Sequence, residues 1–290
     1  MTKARRMIEE DIKLIDIVIE LVDARIPLSS RNPDIDELSR GKARLVLLNK
    51  ADLADPKANK AWEKYFESQG IKAVAVDSRK SGIAKRLLPV IMEACAERIE
   101  RNRRRGIKNR PMRALIAGIP NVGKSTFINS FAGKGVAKTG NKPGVTKGKQ
   151  WIRLQKDLEL LDTPGILWPR QSDPVVGERL AMIGSIKDDI VQTEEMANTI
   201  LRYLVRLVPE KLTERYELKE EQIKKTETGA DITNEQCASL LEEIALFRKC
   251  LRKGGLPDTE KAALIVIDDF RKGQFGPITL DEIPDTDSHD

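Results

Sequence analysis

Histidine and cysteine are nearly absent from this chain. Of 290 residues one is histidine, His289, and three are cysteine, Cys95, Cys237 and Cys250. The thiols are odd in number, scattered and without metal-ligand spacing, which argues against a disulfide framework or a zinc site and for reduced core or surface residues. The single histidine lies in a polar, acidic tail, where neither a ligand nor a base is expected. Aromatic residues make up only 4% of the chain. No run of eighteen apolar residues occurs and no signal-peptide pattern is seen, so no membrane-spanning helix is expected and the chain reads as soluble and cytoplasmic.

Charge, by contrast, is abundant: 33% of residues are Asp, Glu, Lys or Arg, with a formal net charge of +6. Much of the excess sits between residues 98 and 113, where Arg101, Arg103, Arg104, Arg105, Lys108 and Arg110 face only Glu100. A second set is Lys3, Arg5 and Arg6. Two readings stand. The run is a solvated helix face or linker, or its cations neutralise nucleic-acid phosphates and release counterions. On the second reading Arg101, Arg103, Arg104, Arg105 and Lys108 are the contact residues.

The segment Gly118-Ile119-Pro120-Asn121-Val122-Gly123-Lys124-Ser125 fits Gly-x-x-x-x-Gly-Lys-Ser. An apolar run, Arg113–Ala117, precedes it as a strand, and Thr126–Phe131 follows as a helix start, which is the context a phosphate loop requires. Its backbone N–H groups, including those of Val122, Gly123 and Thr126, can curl around phosphates at a helix N-terminus. Lys124 is expected at the β/γ oxygens and the Ser125 hydroxyl on Mg²⁺.

A second apolar run, Leu45–Leu48, ends in Asn49-Lys50-Ala51-Asp52. The Asp52 carboxylate can accept from the guanine N1–H and 2-amino group together, a donor pair adenine lacks, and so would specify GTP over ATP. Alone this tetrapeptide could equally be a helix cap; beside a phosphate loop it reads as a guanine motif. Asp77-Ser78-Arg79-Lys80, after the strand Ala73–Val76, gives by position a second base loop through Ser78 and Arg79, or a plain strand-to-helix turn. Leu158–Leu161 ends in Asp162-Thr163-Pro164-Gly165, which suits Asp162 reaching Mg²⁺ through water and the Gly165 N–H meeting the γ-phosphate. In Lys142–Thr146, Thr146 is the expected Mg²⁺ ligand when the γ-phosphate is present, with Thr139 as the alternative. Ile166 stands where a glutamine often orients the attacking water, and it cannot position water.

The order of these motifs is unusual. The guanine motif leads and the phosphate loop trails, as if the old termini were joined and the chain reopened elsewhere. Strands and helices alternate to about residue 168, which predicts an α/β domain with a mainly parallel sheet over 1–168. Residues 1–14 read as helical. A proline-bearing linker is expected over 169–177, an α-helical domain over 178–280, and a disordered acidic tail over 281–290. Helices are expected at Val175–Ile183, Thr193–Leu207 with Pro209 as the stop, Asn234–Arg252 and Thr259–Lys272. Leu240, Leu241, Ile244 and Phe247 read as core, and Glu217–Asp231 as a polar loop.

Asp23-Ala24-Arg25-Ile26-Pro27-Leu28-Ser29-Ser30-Arg31-Asn32-Pro33 and Leu161–Pro169 resemble signatures of the circularly permuted ribosome biogenesis GTPase A family, over nearly the whole chain. The resemblance implies binding of GTP and GDP with Mg²⁺, docking on rRNA and ribosomal proteins of a late large-subunit (50S) precursor, and hydrolysis that times release. It implies K⁺ dependence through Asn121, whose other reading is a turn residue. It also implies that the C-terminal helices contact RNA. A monomer without membrane association is expected. The family places its catalytic histidine in an N-terminal Gly-His-Met run. Met1 matches that methionine, so the histidine would precede residue 1, and a truncated start or weak stimulated hydrolysis is expected. A non-catalytic, GTP-dependent assembly scaffold is the competing function.

Overall fold

The computed structural model describes residues 10–107, 109–133, 135, 150–162, 173–186, 192–219, 221, 223 and 232–284. The chain divides into two compact units, one of residues 1–171 and 281–290, the other of residues 172–280.

The first unit holds a six-stranded sheet. In chain order its elements are β1 Ile17–Asp23, α1 Asp34–Leu38, β2 Ala43–Asn49, α2 Pro56–Ser68, β3 Lys72–Val76, α3 Ile83–Ala94, α4 Ala96–Arg104, β4 Met112–Gly118, α5 Lys124–Ala132, β5 Gln150–Gln155 and β6 Leu158–Asp162. The spatial order is β3-β2-β1-β4-β6-β5. All neighbouring pairs are parallel except β5 with β6. Every residue of β1 is buried, as expected of a central parallel strand covered on both faces. On one face α2 lays Trp62 and Phe66 against Val22, Val46 and Leu48. Farther along the same face, since Val18 and Val22 point to one side of β1, Ile12 and Ile35 pack with Val18, Leu115 and Leu161.

The register carries the motifs to one edge. Asp23 pairs with Asn49 and Asn49 with Val76, while Leu21 pairs with Gly118. The carboxyl ends of β1, β2, β3 and β4 therefore meet, although the guanine motif and the phosphate loop lie far apart in sequence. A crevice outside the carboxyl ends of parallel strands is where open α/β sheets bind ligands.

The second unit comprises α6 Pro174–Met182, α7 Thr193–Leu207, α8 Pro209–Tyr216, α9 Asn234–Phe247 and α10 Thr259–Arg271. Asp269, buried on α10, accepts from the Arg215 guanidinium and the Tyr216 hydroxyl at 2.9–3.0 Å, and Tyr216 packs edge-on against Phe275. A capping box, Thr233 with Gln236, starts α9.

Several expectations need correction. The helix over Thr193–Leu207 does stop before Pro209, but the proline also opens an unexpected helix, α8, because a proline at the first helical position gives up no needed N–H. The helix expected to reach Arg252 ends at Phe247, where Lys249 turns left-handed and Leu251 bridges back to Pro257. Phe247, expected in the core, is 39% exposed. Asp173 caps α6 with Pro174 behind it, so helix begins within the expected linker. Asp281, expected in a disordered tail, is buried: its carboxylate accepts from the Leu28 and Ser29 N–H groups at 2.7 Å and from the Ser29 hydroxyl at 2.6 Å.

Candidate nucleotide site

Asn49 is the joint of the site. Its amide nitrogen donates to the Val122 carbonyl at 2.7 Å, inside the phosphate loop. Its amide oxygen accepts from the Ser78 N–H at 3.1 Å and the Ser78 hydroxyl at 2.7 Å. One buried side chain thus fastens the end of β2 to the loop after β4 and the loop after β3. Ser78, placed in the base pocket by position alone in the sequence, has a bonded role here.

Two glycines of the phosphate loop are dictated by space. A Cβ at Gly118 would lie 2.6 Å from the Leu21 carbonyl oxygen of β1. A Cβ at Gly123 would lie 2.5 Å from the Asn49 amide nitrogen, and its φ of 102° is left-handed. Asn121 is left-handed too, at φ 58°. Lys124 opens α5, and its ammonium donates to the Gly118 and Ile119 carbonyls at 2.6 and 2.8 Å. Burial pushes it down to about 8 from its ordinary 10.5. Ser125 and Thr126 follow in the first turn of α5.

The guanine loop is anchored from below by residues that the sequence offered only as a signature. Lys50 is left-handed, with φ 59°, and its ammonium lies 3.0 Å from the Asp23 carboxylate. Asp23, wholly buried, also receives Arg25 through Nε at 2.9 Å and Nη2 at 2.8 Å. Burial alone would raise the Asp23 carboxyl, but Arg25 and Lys50 outweigh it and hold the group well below the usual carboxylate range. Asp23 lies at the end of β1, so the lysine of the guanine motif is steered by the central strand. The rest of the signature folds its own loop: Ser30 Oγ accepts from the Asp23 N–H and donates to Ile26 O, and Asn32 N–H donates to the buried Glu20. Alternation and composition could not reveal these bonds. The family resemblance of Asp23–Pro33 was the one available signal.

Asp52 stands at the mouth, with Arg79 Nη2 2.6 Å from its carboxylate; Arg79 Nε also reaches Asp77 at 3.1 Å. Asn49, Lys50, Asp52, Ser78, Arg79 and residues 121–126 are therefore brought to one edge. β6 ends at Asp162 on the same side of the sheet, but the Asp162 side chain, Thr146, Gly165, Ile166 and Lys108 lie outside the described residues. Arg101, Arg103, Arg104 and Arg105 lie at the end of α4 and just past it, away from this edge and exposed. Among the described residues no cluster of three His, Cys, Asp or Glu is placed to hold a metal, and no helix is long and apolar enough to cross a membrane.

This geometry agrees with what the chain is similar to. A family model described as a 50S ribosome-binding GTPase matches residues 113–237. Ribosome biogenesis GTPase A of Bacillus licheniformis is 46% identical, over 98% of this chain and 96% of that protein. Mitochondrial ribosome-associated GTPase 1 of Xenopus tropicalis is 32% identical, over 97% of this chain and 92% of that protein. A GNP-bound crystal structure of YlqF from T. maritima superposes with a TM-score of 0.62 at 27% identity, covering 96% of this chain and 97% of that one. The fold is that of a circularly permuted GTPase, the activity is GTP hydrolysis, and the chain belongs to the ribosome biogenesis GTPase A family.

Proposed function

We propose that this GTPase docks on the rRNA of a late large-subunit precursor, promotes its maturation, and is released when GTP is hydrolysed. The observation that carries the reading is Asn49, which bonds the guanine motif to the phosphate loop and so couples base and phosphate recognition. Asp52 reads the guanine edge, with Ser78 and Arg79 completing the base loop. Lys124 and the N–H groups of 122–126 neutralise the phosphates. The residues fit a phosphate-bound magnesium: the Gly123 cradle admits no side chain, and hydroxyl and carboxylate oxygens are the ligands Mg²⁺ takes. Ser125, Thr146 and Asp162 would hold Mg²⁺, which neutralises phosphate charge when bound. Asn121 would hold K⁺, and the Gly165 N–H would meet the γ-phosphate. The exposed arginines of α4, with Arg105 and Lys108, supply the RNA contact. Relatives named for ribosome biogenesis and ribosome association support the partner. The protein works as a cytoplasmic monomer.

The test is GTP hydrolysis by the purified chain with and without large ribosomal subunits, in K⁺ and in Na⁺. Stimulation that requires both subunits and K⁺ is the expected result. Tight GTP binding without stimulated turnover would favour a scaffold that acts by occupancy, a reading to which the apolar Ile166 lends weight.

A further inference from the structure

The edge of the sheet opposite the nucleotide motifs carries a second cleft. It has a volume of about 250 Å³ and is lined by Asp16, Lys42, Glu97, Arg98 and Arg101, among others. Asp16 directly precedes β1 and Lys42 directly precedes β2, so the cleft lies at the amino ends of the strands whose carboxyl ends hold Asp23 and Asn49. Seven residues of strand at about 3.3 Å each put roughly 20 Å between the two sites. One can be filled without disturbing the other.

The charges around this cleft do not balance. The Asp16 side chain is fully buried and is shared by two guanidiniums, Arg98 at 3.0 Å and Arg110 at 3.1 Å; it also accepts from the Arg113 N–H at 3.0 Å. Its acceptor capacity is largely used. Lys42 gives its ammonium to the Ile15 carbonyl at 2.9 Å, a neutral partner, and makes no ion pair among the described residues. Burial and then the Arg98 charge push Lys42 below the ordinary lysine range, while Asp16 opposes them. Arg101 makes no ion pair among the described residues. On the outer side of α4, Arg103 and Arg104 both share Glu100, at 4.0 and 3.1 Å. The arginine run thus has two faces: one tied to Glu100 of its own helix, the other opening on a cleft where Lys42, Arg98 and Arg101 outnumber Asp16 and Glu97.

We propose that this cleft is a binding site for a backbone phosphate of RNA, with Lys42 and Arg101 as its contacts and Asp16 holding Arg98 in position behind them. A buried carboxylate that pins a guanidinium pre-orders the wall and lowers the cost of immobilising it on binding. Ammonium and guanidinium donors suit phosphate oxygens, and an arriving anion relieves the crowding of positive charge. The inference rests on the rRNA docking proposed above and gives it a locus: RNA is held at the amino edge while nucleotide occupies the carboxyl edge.

The full chain is tested against a labelled RNA duplex of about 20 base pairs in a salt titration. The variant Lys42→Ala/Arg101→Ala leaves both Asp16 ion pairs in place. It is compared with Lys60→Ala/Lys64→Ala, which removes the same charge from two exposed lysines of α2. The expected result is a loss of about tenfold or more in affinity for the cleft variant alone, with a salt slope shallower by about 1, since one phosphate contact contributes about 0.9. Inorganic phosphate at about 10 mM, which offers a single anion without the duplex's other backbone contacts, should not displace the RNA. Should the double variant unfold at a lower temperature, the exposed Arg101→Glu repeats the test. Equal binding by both variants overturns the cleft but leaves rRNA docking standing. Displacement by inorganic phosphate makes it a small-anion site and overturns the proposal. If the unaltered chain binds neither the duplex nor large subunits, the docking reading falls as well.

Discussion

Asn49 uses both ends of one amide to hold three segments, so its loss should be felt throughout the nucleotide site. Asn49→Ala leaves the Val122 carbonyl and the Ser78 hydroxyl without their partner, and nucleotide affinity should fall by about tenfold or more, the scale of leaving buried polar groups unsatisfied. Asp52→Asn removes the paired acceptor and should weaken GTP by about 2–4 kcal/mol, the scale of a broken charged hydrogen bond; fluorescent-nucleotide titration measures both. Unchanged affinity in Asp52→Asn would remove it from the base pocket. Lys124 supplies a pH signature. Its folded value near 8 lies below the 10.5 of a free lysine, so between those pH values the unfolded chain holds a proton that the folded chain lacks. This group's contribution to stability therefore rises with pH across that window. Bound phosphates favour the charged form, so GTP binding near pH 9 should take up a proton. Calorimetry in two buffers of different ionisation heat reads that uptake directly, and a value of zero would count against Lys124 meeting the phosphates.

At the scale of elements, β1 ties the site together. It buries seven residues between β2 and β4 and ends in Asp23, which holds Lys50. Asp23→Asn keeps the shape but leaves Arg25 and Lys50 without their counter-charge. Because the folded carboxyl lies below its unfolded value, the stability it contributes is present above the ordinary aspartate range and is lost as pH falls through the folded value. The variant should be destabilised at neutral pH by about 3–5 kcal/mol, as for a broken buried pair, and denaturant unfolding measures it. Asp281 latches the returning chain onto the Leu28–Ser29 turn. Asp281→Ala should cost about 1–3 kcal/mol and speed amide exchange at Leu28 and Ser29. No change in exchange there would show that the turn holds without it.

For the whole molecule, the permuted order has a consequence in connectivity. β6 ends at Asp162 and the helical unit begins at residue 172, so the Asp162–Gly165 motif leads directly into the next unit rather than back into its own. A γ-phosphate that orders that motif should bias the start of the helical unit. Hydrogen exchange on residues 173–186 should differ between GTP-analogue and GDP forms, and identical protection would sever the relay.

The motifs, their exchanged order and the parallel α/β class could be read from the amino-acid order, because phosphate loops and buried strands are local patterns of spacing and hydrophobicity. Lys124 and Asn49 were legible for that reason. Only the folded chain shows that Asn49 bonds Val122, that Asp23 holds Lys50, that Asp281 returns to Ser29 and that Arg103 and Arg104 share Glu100 while Arg98 turns to Asp16. Each of these joins residues distant in the chain or turns on which way a helix faces. Hydrogen bonds and ion pairs depend on ångström-scale placement, which hydrophobic periodicity does not encode. Pro209 does mark the end of the helix over Thr193–Leu207; that it also opens the next helix was not legible, because one proline can stop one helix and start another.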